Sequence, residues 1–74
     1  MSVEREIALY AYNKFNKGEN VKITEIQVSK KVLNCLKNCE LITLVKLDQG
    51  DELQLINQDN IIELYNYINY YFPY

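Results

Sequence analysis

The sequence predicts an α+β fold in the order helix, short strand or connector, one or two short helices, two-stranded hairpin, helix. Three observations predict it. Apolar residues recur at three- and four-residue steps near both ends, the middle of the chain alternates apolar and polar residues on either side of an acidic turn, and the 74 residues allow one domain only, spanning 1–74. A domain of this size buries about 60% of the surface its unfolded chain exposes, so nearly every apolar residue is needed and partners are plausible.

In the first element Ser2 is placed to cap a helix whose positive end suits Glu4 and Glu6. Val3, Ile7, Tyr10, Ala11 and Phe15 form its expected inward stripe, and Gly18 its left-handed stop. Val21 and Ile23 alternate with polar neighbours, enough for a short strand or an extended connector. Thr24-Glu25-Ile26-Gln27 then has the spacing of a capping box. Two readings of 24–38 remain open: one helix with Val28, Val32, Cys35 and Cys39 on a single seam, or one turn ending near Val28 and a second helix capped by Ser29.

Leu41 to Leu47 and Glu52 to Ile56 read as strands, with Leu53 and Leu55 facing one way and Glu52 and Gln54 the other. Asp48-Gln49-Gly50-Asp51 supplies the turn between them. A last helix is expected from behind Asn57 or Asp59 to about Phe72, with Ile61, Leu64, Tyr65, Ile68 and Phe72 inward and Pro73 closing it.

The net charge of -2 and pI near 5.0 argue against broad attraction to nucleic acid or anionic membrane, but the charge is unevenly distributed. Residues 21–39 carry Lys22, Lys30, Lys31 and Lys37 against Glu25, whereas residues 40–56 carry Glu40, Asp48, Asp51 and Glu52 against Lys46. The start MSVEREIALY places charges where a signal peptide needs its apolar segment, and no run approaches a membrane span, so a cytoplasmic location without membrane association is expected. Nine asparagines and seven tyrosines, with abundant lysine and isoleucine, are what AT-rich coding produces, an association with a phage, virus or AT-rich microbe.

Chemistry-bearing constellations are few. There is no histidine, nucleophile elbow or phosphate-binding glycine loop, and the hairpin acids lack calcium-loop spacing, so neither an enzyme nor a cofactor is expected. Cys35 and Cys39 make no zinc set by themselves and read as small buried hydrophobes.

ITEIQVSKKVLNCLKNCELI followed by LVKLDQGDELQLI resembles the turn, recognition helix and wing of a winged helix-turn-helix domain. The resemblance implies a dimeric regulator of transcription that reads duplex DNA with the helix at residues 29–38. Independently of it, Lys30, Lys31, Asn34, Lys37 and Asn38 lie on the helix side away from Val32, Cys35, Leu36 and Cys39. That face has the chemistry for phosphates and for guanine and adenine edges.

Three lysines from one copy bind weakly, so the DNA reading calls for a homodimer. Ile62, Asn66, Tyr67, Asn69, Tyr70, Tyr71 and Tyr74 are the expected dimer surface, since tyrosine combines a large apolar area with a hydroxyl at ease in water. Stacking of single-stranded bases on these rings is not expected, because no basic residue lies among them in the sequence. The alternative function is a phage- or virus-encoded interaction protein or inhibitor whose acidic hairpin, Asp48, Asp51 and Glu52, engages a basic host protein.

Overall fold

The computed structural model describes residues 2–74 and follows the expected order: α1 (Val3–Asn16), β1 (Val21–Lys22), α2 (Ile23–Ile26), α3 (Lys30–Lys37), β2 (Ile42–Val45), β3 (Glu52–Leu55), a 3-10 turn (Gln58–Asn60) and α4 (Ile61–Tyr71). Helix α1 starts where the Ser2 hydroxyl accepts from the Arg5 N–H at 3.0 Å. It ends on Gly18 at φ 79°, whose N–H bonds the Phe15 carbonyl at 2.9 Å while that of Glu19 bonds Lys14 at 3.0 Å, a Schellman closure that a side chain at Gly18 would strain.

Of the two readings of 24–38, the chain takes the two-helix one. Ile26 closes α2, the Ser29 N–H bonds back to the Ile26 carbonyl at 3.2 Å, and the Ser29 hydroxyl caps α3 by accepting from the Val32 N–H at 3.3 Å. The break turns Val28 outward to 80% exposure, correcting the single seam that would have buried it. Nor is Thr24 the cap of α2. That helix starts two residues earlier, behind Lys22, and Glu25, not Gln27, reaches back to the cap N–H.

The sheet has the order β1-β3-β2, antiparallel throughout. β3 is central, and Leu53 stands opposite both Val21 and Leu44 on the inward face, continued by Ile42 against Leu55. Leu53 and Val21 are fully buried, while Lys22, Glu52, Thr43 and Gln54 alternate onto the other face. The expected hairpin is present with shorter strands than the apolar runs suggest, because Lys46 to Asp51 leave the ladder and Gly50, at φ 115°, bonds back to the Leu47 carbonyl at 3.2 Å.

The core lies between this inward face and the helices, with Ala8, Ala11, Phe15, Ile26, Val32, Leu36, Leu64, Ile68 and Phe72 closing around Leu53. Expected core positions are corrected on two helices. On α1 the buried arc is Arg5, Ala8, Ala11 and Phe15, while Val3 and Tyr10 are exposed and Ile7 half-buried, since the alanines allow α4 close approach. On α4 Tyr65 lies at the exposed rim and rests against Tyr12 at 5.2 Å between ring centroids.

Arg5 is the buried charged residue among the described ones, at 2% exposure. Its Nη1 donates to the Phe72 carbonyl at 2.8 Å, at the end of α4 where the helix dipole is negative, and the Tyr74 ring covers the guanidinium at 4.1 Å. Arg5→Ala is therefore expected to cost about 2–3 kcal/mol, because it empties a core site and orphans a buried carbonyl. Arg5→Met, which keeps apolar bulk, should cost less; urea unfolding midpoints at unchanged slope test both.

Candidate functional site

Helix α3 is held from below by Val32 and Leu36, both fully buried, which leaves Lys30, Lys31, Asn34, Lys37 and Asn38 exposed on its outer side. All five residues picked out from the sequence thus share one solvent-facing surface, with Lys30 and Lys31 opening the helix and Lys37 in its last turn.

The position of that surface depends on a polar cluster at the other end of α2. Glu25 accepts from the Lys22 N–H at 2.7 Å and from the Tyr10 hydroxyl, and it pairs with Lys14 at 3.4 Å, while Lys14 also reaches Glu19 at 3.3 Å. These contacts tie α2, and so the start of α3, to α1. The Tyr10 hydroxyl first, then the Lys22 N–H and Lys14, hold the Glu25 carboxyl below the usual carboxylate range against the opposing effect of burial. Sequence reasoning missed this cluster, since the spacings of Tyr10, Lys14 and Glu25 carry no local signal.

The hairpin acids divide. Asp48 is exposed beside exposed Leu47 at the loop, whereas Asp51 and Glu52 are half-buried. One Glu52 oxygen already accepts from the Asn20 amide at 3.1 Å and lies 3.5 Å from the Gln54 amide.

On α4, the expected dimer residues Ile62 (69%) and Tyr70 (77%) are strongly exposed. Asn66, Tyr71 and Tyr74 are also exposed, and Asn69 is half-buried. Tyr67 turns toward α3. Its hydroxyl donates to the Cys35 carbonyl at 2.8 Å and accepts from the Cys35 thiol at 3.3 Å. Burial, then the Cys35 bond, raises the Tyr67 phenol well above its ordinary value. Tyr67 also rests tilted against Tyr71 at 4.7 Å, and Tyr70 meets Tyr71 edge-on at 4.9 Å.

Between α3 and α4 these rings wall a groove of two adjoining hollows. One, of about 290 Å³, is lined by Lys31, Cys35, Asn38, Tyr67, Tyr71 and Phe72. The other, of about 580 Å³, shares Asn38, Tyr67 and Tyr71 and extends past Cys39 and Asn66 to Glu40 and Glu63. The fold brings Lys31 beside tyrosines some forty positions away in the chain, although no basic residue lies among them in the sequence.

Among the described residues no cluster of His, Cys, Asp and Glu could hold a metal, and no helix is long and apolar enough to cross a membrane. Cys35 and Cys39 are free thiols, Cys39 buried and raised above its ordinary value chiefly by that burial. In comparisons with known proteins, no family model, curated relative or solved structure matches the chain.

The Glu25 cluster predicts an acid-side loss of stability. A carboxyl held low in the folded state contributes fully above its ordinary value of 4.5 and loses that contribution as pH falls below it, through the folded value. In Glu25→Gln this part of the acid loss should vanish; urea midpoints followed from about pH 7 to about pH 3 read the difference.

Proposed function

We propose that the chain is a small winged-helix-like protein that binds duplex DNA as a homodimer and regulates transcription. In this reading α3 enters the major groove and α4 pairs the protomers. The observation that carries it is the outward face of Lys30, Lys31, Asn34, Lys37 and Asn38 on a helix whose Val32 and Leu36 are fully buried on the other side. The order of elements and the β1-β3-β2 sheet support the winged-helix layout, with β2 and β3 as the wing.

Lysines at this face neutralise phosphates and release counterions, and the asparagines present a donor and an acceptor to an adenine edge. The exposed Ile62 and Tyr70, on a helix whose only charged residue is Glu63, support pairing through α4.

A triple Lys30, Lys31 and Lys37 alanine variant is expected to lose duplex affinity and to lower the slope of log affinity against log salt by about 2–3. Unchanged binding and slope remove α3 from the contact. In the same titration an Ile62→Glu, Tyr70→Glu double variant should sediment as a monomer and bind the duplex more weakly, with α3 untouched. A wild-type chain that already sediments as a monomer removes the paired form.

A second reading is favoured by Asp48 and Leu47, exposed together at the hairpin loop: an acidic and apolar tip that engages a basic protein. Asp48→Lys should then abolish capture of that partner, whereas for a wing lying close to phosphates the same change raises duplex affinity. Capture that survives the reversal excludes the tip as the contact.

A further inference from the structure

The groove between α3 and α4 has a charge order that neither helix shows alone. Lys31 stands at one end, the tyrosine rings occupy the middle, and Glu40 and Glu63 stand at the other end. From Lys31 to Asn38 the helical rise spans roughly 10 Å. The hollow exists because Cys35 and Cys39 are short where they face Tyr67, leaving space that a larger aliphatic side chain would fill. Tyr67 cannot swing in to close it, since its hydroxyl is engaged twice with Cys35.

We propose that this groove binds one nucleotide whose base carries an exocyclic amine, with its phosphate on Lys31, its base against Tyr71 and that amine toward Glu40 and Glu63. Each group in the ligand answers a group in the wall. A phosphate is the anion that a lone ammonium at a groove end attracts. A flat base gains from aromatic rings without regard to its sequence. The exocyclic amines of adenine, cytosine and guanine donate where a carboxylate accepts, whereas uracil and thymine carry no such amine and present carbonyl oxygens that carboxylates repel.

The same chemistry is offered by a free mononucleotide and by a nucleotide within a single strand. Because Lys31 and Asn38 belong both to the groove and to the outer face of α3, occupancy competes with duplex binding; that competition, unlike the site, rests on the reading of α3 given above.

The test is a series of amide ¹H–¹⁵N spectra of the full chain titrated with AMP, UMP, adenosine and inorganic phosphate. AMP should shift the amides of Lys31, Cys35, Asn38, Tyr67 and Tyr71, and the other three should each bind about tenfold more weakly or worse. Tyr71→Ala, on an exposed ring, should weaken AMP about tenfold. Lys31→Gln should make AMP and adenosine equal, and Glu40→Gln with Glu63→Gln should remove the preference of AMP over UMP.

A short oligodeoxyadenylate that binds tenfold tighter than AMP identifies a strand as the source, and equal affinity identifies the free nucleotide. No groove shift at about 5 mM AMP, or shifts reproduced by phosphate alone, overturns the site. Duplex binding is read separately at Lys30, Asn34 and Lys37, so loss of one reading leaves the other measurable.

Discussion

The fold depends on how its last helix is fastened. Arg5 carries a cation into the core and gives it to the Phe72 carbonyl, at the end of α4 where the peptide dipoles leave negative charge unanswered. Burial of a charge is costly, and this one is offset by a short hydrogen bond, the helix end and the Tyr74 ring rather than by a carboxylate. Such a contact is directional. It fixes α4 along its length as well as against α1, and so fixes where Tyr67 and Tyr71 stand relative to α3.

From that fastening the two surfaces on α3 follow. The helix is clamped by Val32 and Leu36 on its inner side, by Tyr67 through the Cys35 backbone on one flank, and by the Glu25 cluster at its approach from α2. What remains free is a lysine and asparagine face and, beside it, the tyrosine groove. The surfaces proposed for binding are thus ones that the packing of α3 leaves free.

Much of the fold was legible in the sequence. The periodic apolar residues of 61–72, the alternation in 52–56, the Ser2 cap and the Gly18 stop each determine local structure over a few residues, and each forms the expected element, with Tyr65 the inward position of 61–72 that turns out exposed. The inward arc of α1 was not legible, because apolar residues lie on several sides of that helix and the approach of α4 decides among them. The break between α2 and α3 was legible only as an alternative. The five exposed residues of α3 follow from helical period alone, but the meeting of Lys31 with Tyr71 depends on tertiary packing, which no spacing along the chain records.

Strand β1 is two residues long, and its Val21 closes onto Leu53 across a segment that contains α2, α3 and β2. Such a closure carries the entropy of a long loop and has little contact of its own to offset it. Its formation must therefore coincide with docking of everything it encloses, so α3 has no folded existence apart from the sheet. A domain built this way assembles as one cooperative unit, and the short strand serves as its latch.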